Sequence, residues 1–176
     1  TWAESYARMR RLASALTNAG LGLGDTVSVI AANTPEIFEA HFGVPMAGCV
    51  LNTINTRLEA ETIAYILENG DCRLLIVDTA FAPAVVPALE AVADEVRARI
   101  RVVDIRDAEM GDLPPIGDED YESFIAAGDP AFDWLMPADE WPALALRYTS
   151  GTSGRPKGAV YHHPAASLMS MGTATG

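Results

Sequence analysis

The sequence predicts an α/β fold with a mostly parallel sheet flanked by helices, and three observations carry that expectation. Short apolar runs such as 26–31 (TVSVIA), 73–77 (RLLIV) and 100–105 (IRVVDI) have the length and content of buried strands. Between them lie segments whose apolar residues recur at three- and four-residue spacing, as on one face of a helix. The two kinds of segment alternate at short intervals, as they do in a sheet whose parallel strands are joined by helical crossovers.

The elements follow in order. Residues 4–19 place Tyr6, Met9, Leu12, Ala13 and Leu16 at helical spacing, and Gly20 is suited to end that helix. The turn Gly-Leu-Gly-Asp at 22–25 leads into strand 26–31; its glycines precede the strand and do not form a dinucleotide fingerprint. Asn33, followed three residues later by Glu36, predicts a capped start for a helix over 35–47, with Pro35 in its first turn and Pro45 kinking or ending it. Then come a strand over 49–54, a helix over 59–69 closed by Gly70, a strand over 73–77, a helix over 83–98 and a strand over 100–105. Residues 107–120 are acidic and rich in Pro and Gly, which predicts a surface connection. A short helix at 121–127 and an irregular stretch at 128–142, with Pro130, Pro137 and Pro142, complete this part.

Composition narrows the function classes. The chain has 176 residues, 49% of them hydrophobic, enough for a sizeable core. Acidic residues number 24 against 12 basic, a net charge of −12, which weighs against nucleic acid and anionic lipid as partners. Cys49 and Cys72 sit among apolar neighbours with no C-x-x-C pair, so they read as small buried hydrophobes rather than as a disulfide framework or a zinc site. His41, His162 and His163 have no metal-ligand spacing, and no residue is expected to bind a metal directly. On a strand, the adjacent His162 and His163 would point to opposite faces. No apolar run approaches the roughly twenty residues that span a bilayer, and no signal peptide is visible. The free cysteines, and the ATP chemistry implied below, give a cytoplasmic expectation.

The chemistry-bearing segment is 143–163, ALALRYTSGTSGRPKGAVYHH. Two strand-like arms, 143–148 and 159–162, flank a loop that holds Thr149, Ser150, Gly151, Thr152, Ser153, Gly154, Lys157 and Gly158. Glycines let the backbone approach a ligand and turn its N–H groups inward. Hydroxyls donate to phosphate oxygens, and lysine brings a mobile point charge. Together these suit a polyphosphate. The order is not a Walker A loop, because Lys157 lies between Pro156 and Gly158, and there is no G-x-S-x-G nucleophile elbow.

The run YTSGTSGRPKGA resembles the phosphate-loop signature of the AMP-forming synthetases, approximately [YF]TSG[ST]TGxPKG, a superfamily of acyl-CoA synthetases, luciferases and peptide-synthetase adenylation domains. Tyr148, Thr149, Ser150, Gly151, Thr152, Gly154, Pro156, Lys157 and Gly158 match, and Ser153 stands where Thr is usual, which keeps the hydroxyl. The resemblance extends upstream through NTPEIFEAHFGVPMAGCVLNTINTRLEAETIAYILENGDCRLLIVD and covers nearly the whole chain. The wording of 52–58, 128–141 and 161–163 is most similar to the short- and medium-chain acyl-CoA synthetase branch, which includes methylmercaptopropionate–CoA ligases.

The resemblance implies a two-step reaction in the complete enzyme. A carboxylic acid is activated by ATP to an acyl-adenylate, and the acyl group then passes to CoA with release of AMP. Thr149 to Gly154, Lys157 and Gly158 would hold the ATP phosphates, with Mg²⁺ bridging them. His163 matches a family histidine that is either a pocket residue or a packing residue at a strand end; Pro164 after it departs from the usual Arg or Lys. The family's adenine-binding, ribose-binding, hinge and C-terminal catalytic segments have no counterpart here. Residues 1–176 are therefore expected to be the N-terminal part of the adenylation domain, without a catalytic residue of their own and inactive in isolation. The other expectations are an adenylation domain that loads a carrier protein, a luciferase-like oxygenase, and a non-catalytic binding module.

Overall fold

The computed structural model describes residues 1–107, 111, 113–134, 136–149 and 155–175. Its centre is β1 (Thr26–Ile30), all five residues of which are buried. A strand covered on both faces buries every side chain, so even the polar Thr26 and Ser28, which alternate with Val27 and Val29, lie inside. β1 pairs in parallel with β2 (Val50–Thr53) on one side and with β3 (Cys72–Asp78) on the other. β4 (Arg101–Ile105) and a two-residue β5 (Glu119–Asp120) continue the parallel set beyond β3. β6 (Ala143–Thr149) joins parallel to β2, and β7 (Lys157–His162) closes the sheet as an antiparallel edge strand. The order is β5-β4-β3-β1-β2-β6-β7. The predicted architecture is therefore the observed one.

Period-two alternation sends successive side chains to two cores. Val27, Val29, Leu74 and Ile76 face a layer formed by α1 (Trp2–Asn18), α2 (Pro35–Met46) and α6 (Tyr121–Ala126). Ile30, Leu75, Val77 and Val102 face α3 (Ala60–Asn69) and α4 (Ala82–Ala91). On this second face Asn52 donates to Ser28 Oγ at 3.1 Å, while Asn52 Oδ1 is buried without a partner.

Helix ends follow local chemistry in some places and not in others. Thr1 and Glu4 form a reciprocal capping box at the start of α1. At its end Gly20 adopts φ +84°, and the bonds Leu21 N–H to Leu16 O and Gly20 N–H to Thr17 O make a Schellman turn. The cap expected from Asn33 and Glu36 does not form. The N-cap of α2 is Thr34, with no side-chain cap bond, and Pro35 in the first turn removes one donor that a cap would have served. Pro45 lies inside the last turn, and the helix ends one residue later.

The single helix expected over 83–98 is instead a 3₁₀ turn (Thr79–Phe81), α4 and a separate four-residue α5 (Asp94–Arg97). The break comes at Val92, which is buried and extended, and the Ala93 amide is taken by Glu68 Oε1 of α3 at 2.7 Å. A tertiary acceptor there replaces the helical one. Helix α7 (His163–Thr175) was not expected; it starts where the second arm ends, so His162 closes β7 and His163 opens a helix. The second arm thus ends at 162, as expected, and the two histidines do not share a strand.

The layer of α1, α2 and α6 carries a buried charge network. Glu39 of α2 is 2% exposed and bonds the Arg8 guanidinium of α1; Tyr121 Oη donates to the second Glu39 oxygen at 2.9 Å. Arg8 also forms a two-pronged pair with Glu122 of α6, donating through Nη1 at 2.8 Å and through Nη2 at 2.5 Å. The Arg8 hydrogen bond holds the Glu122 carboxyl below the usual range.

Cys49 and Cys72 are free and buried, as expected. Burial pushes the thiols up, to about 12 for Cys49 and about 11 for Cys72. A raised folded-state value means that folding favours the protonated thiol. That contribution is fully present below the ordinary 9.0 and is lost as pH rises above it. Unfolding midpoints should accordingly decline between pH 9.0 and about 12, and replacing both cysteines with alanine should flatten that decline. An unchanged slope in the double variant would count against the cysteines as its source.

Candidate functional site

The candidate loop is carried by the last two strands of the sheet. β6 runs parallel to β2 and β1, so Thr149 stands at the carboxyl edge of the parallel strands, where α/β sheets commonly bind ligands. The chain returns as β7, with Thr149 opposite Lys157 and Tyr148 opposite Gly158. The loop is thus shorter than the sequence suggests, because Lys157 and Gly158, read as loop residues, are the first two residues of β7. Antiparallel pairing with Tyr148 and Thr149 decides this, and no local signal in the run of Gly, Ser, Thr and Pro announces it. Ser150, Gly151, Thr152, Ser153 and Gly154 lie outside the described residues.

The described residues of the site have distinct settings. Thr149 and Lys157 are exposed, and Lys157 enters no ion pair among the described residues. A Cβ at Gly158 would come 3.1 Å from Leu146 Cδ1 and 3.3 Å from the Tyr148 ring. Glycine at this position therefore leaves space for the cross-strand tyrosine. Tyr148 is half-buried, and its hydroxyl donates to Asn69 Oδ1 at 2.7 Å. Its ring meets that of Tyr65 edge-on at 6.4 Å, and burial, then the neighbouring Tyr65, raises its pKa. Arg155 lies over the Tyr65 ring, 5.3 Å from the centroid.

Sequence reasoning missed Tyr65, Asn69 and Arg155. The first two belong to a helix read only for its apolar face, and Arg155 occupies the unspecified position of the loop pattern. The signal that could have found them is Tyr65 and Asn69 four residues apart, hence neighbours on one helix face.

His163 is half-buried as the first residue of α7. His162 is the neighbour with an unmet need: its Nδ1 is buried without a partner, and its ring packs against Trp141 at 5.9 Å. Among the described residues no group of three or more His, Cys, Asp or Glu could hold a metal ion, and no helix is long and apolar enough to cross a membrane.

This geometry has many solved counterparts. The chain superimposes on an anthranilate CoA ligase in complex with anthranoyl-AMP with a TM-score of 0.81, at 24% identity, covering 95% of this chain and 30% of that one. Against ATP-bound MatB from Rhodopseudomonas palustris the TM-score is 0.75 at 25% identity, covering 97% and 31%. In sequence the chain is 44% identical to an acetate–CoA ligase of Humulus lupulus (CCL3), over 97% of this chain and 32% of that protein. It is 41% identical to the peroxisomal acetate/butyrate–CoA ligase AAE7 of Arabidopsis thaliana, again over 97% and 32%. The chain thus spans about a third of the length of the curated relatives it matches. The family described as AMP-binding enzyme matches residues 1–175, so the chain belongs to the AMP-binding enzyme family.

Proposed function

We propose that the complete protein is an AMP-forming acid–CoA ligase acting on short- or medium-chain carboxylic acids, and that residues 1–176 are the N-terminal part of its adenylation domain. The observation that carries this reading is the hairpin: strands that end and restart a Gly/Ser/Thr segment at the carboxyl edge of the sheet, with Lys157, in no ion pair among the described residues, where the chain re-enters it. The names of the two plant relatives place acetate and butyrate at the front of the substrate panel.

In the first step a carboxylate oxygen attacks the α-phosphorus of ATP and the bond to the β-phosphate breaks, releasing pyrophosphate. In the second the CoA sulfur attacks the acyl carbon and the bond to AMP breaks, leaving the thioester. The chain's own part is to bind and orient. The Thr149 hydroxyl, with those of Ser150, Thr152 and Ser153 and the amides of Gly151 and Gly154, donates to the β- and γ-phosphates. Lys157 offsets their charge, and Gly158 keeps the first turn of the return strand close to Tyr148. Mg²⁺ enters as the companion ion of the ATP substrate. The described residues around the hairpin offer hydroxyls and a cation rather than a carboxylate cluster, which fits an ion held through the phosphates. His163, half-buried at the start of α7, is a residue either of the pocket or of the packing where β7 ends.

Carboxylate-dependent ATP–pyrophosphate exchange by the protein from its complete reading frame tests this, with acids from acetate to octanoate. Exchange confined to one chain-length class is expected, with thioester formed when CoA is added. Transfer to a carrier protein and not to CoA would favour the carrier-loading alternative. No exchange from folded protein with any acid would favour a non-catalytic binding module. Cytoplasmic residence remains part of this reading, beside the peroxisomal residence carried in the name of the Arabidopsis relative.

A further inference from the structure

Both stems of the loop rest on one turn of α3. On the entering side, the Tyr148 hydroxyl donates to Asn69 Oδ1 at 2.7 Å, and the Tyr148 ring meets Tyr65 edge-on. On the leaving side, the Arg155 guanidinium stacks over the same Tyr65 ring at 5.3 Å. Tyr65 and Asn69, four residues apart, share a helix face. Tyr65 and Tyr148 pack at the edge of the second core, and the Arg155 contact lies beside a groove of about 500 Å³ lined by Glu61, Tyr65, Glu68, Arg155 and Pro156. Arg155 is exposed and Tyr65 only half-buried, so the cation–π contact bridges a solvent-facing cleft. Removing it from the exposed Arg155 side leaves the core packing intact and no buried unpaired charge. Loop ends tethered to a common rigid element restrict what the loop can do before a ligand arrives, and a pre-organised loop loses less entropy on binding.

We propose that Tyr65 and Asn69 of α3 are positioning residues that clamp the two stems of the phosphate loop, with Tyr65 holding Arg155 through its ring face. This rests on the ligase reading for its catalytic consequence, but the clamp itself is a property of the protein without nucleotide. Lys157 stands two residues beyond Arg155, so loosening Arg155 loosens the cation intended for the phosphates. The consequence is a weaker grip on ATP rather than a slower chemical step.

The test combines hydrogen–deuterium exchange of peptides covering 148–158, without nucleotide, with ATP–pyrophosphate exchange kinetics on the complete protein. Tyr65→Ala and Arg155→Gln should each speed amide exchange there and raise the KM for ATP about two- to fivefold, the size of one exposed cation–π contact, with kcat little changed. The double variant should be no worse than Tyr65→Ala alone, because that change already removes the Arg155 contact. Tyr65→Phe keeps the ring face and should match wild type in both measurements. Unchanged amide exchange in Tyr65→Ala and Arg155→Gln overturns the clamp whether or not the enzyme turns over. An unchanged KM for ATP in an active protein overturns its role in positioning. Wild-type protein that is inactive with every acid defeats the ligase reading alone, and the amide exchange still decides the clamp.

Discussion

Lys157→Ala should lower carboxylate-dependent ATP–pyrophosphate exchange by about 10²- to 10³-fold, the loss typical of removing one group that stabilises charge in a transition state. The unfolding midpoint should hardly move. Lys157 is exposed at the end of an edge strand and forms no ion pair among the described residues, so its truncation strands no partner. Lys157→Arg should retain part of the activity, because charge survives while the compact ammonium is replaced by a planar fork. Exchange at the wild-type rate in Lys157→Ala would remove the residue from the phosphate site and, with it, the main chemical support for the hairpin as that site. The separation of effects is the informative part: a large loss of activity with unchanged stability cannot come from misfolding.

The largest stability effect is expected at the opposite side of the sheet. Arg8→Met should destabilise the protein by about 3 kcal/mol, the low end for breaking a buried ion pair, since water reaches part of the arginine. What costs stability is the carboxylate left behind: Glu39 is 2% exposed and would keep, among the described residues, only the Tyr121 hydroxyl. Adding Glu39→Gln to Arg8→Met should recover a good part of the loss, because no unpaired charge then remains. Chemical denaturation at constant slope is the measurement. A double variant no more stable than Arg8→Met would mean that the lost packing of the arginine stem, and not the orphaned charge, dominates. The pH dependence has a definite sign. Arg8 lowers the Glu122 pKa, so this contribution is present above the ordinary 4.5 and fades as pH falls below it. The gap between wild type and Arg8→Met should therefore narrow in acid.

The two sites differ in how readily they could be read from the chain. The loop proposed to hold phosphate was legible as a string, because its residue types and order are local: Gly, Ser and Thr for close approach and donation, and Lys for charge. The Arg8–Glu39–Tyr121–Glu122 network was not, since its members are separated by 31 and 114 residues and nothing local pairs them. The same holds for the α3 clamp, where Tyr148 and Asn69 are 79 residues apart.

By itself the sequence determined the alternation of strand and helix, the parallel character of the sheet, the two buried thiols and the family signature carried by the loop. These depend on the period of apolar residues and on short-range chemistry, which neighbours in the chain settle among themselves. Only the tertiary structure decided where Lys157 and Gly158 stop being loop, why the helix expected over 83–98 breaks at Val92, and which helix holds the loop's two stems. Each of those depends on a partner far away in sequence: β6 for Lys157 and Gly158, Glu68 for the Ala93 amide, and Tyr65 and Asn69 for the loop ends. Such contacts form only once the chain has folded.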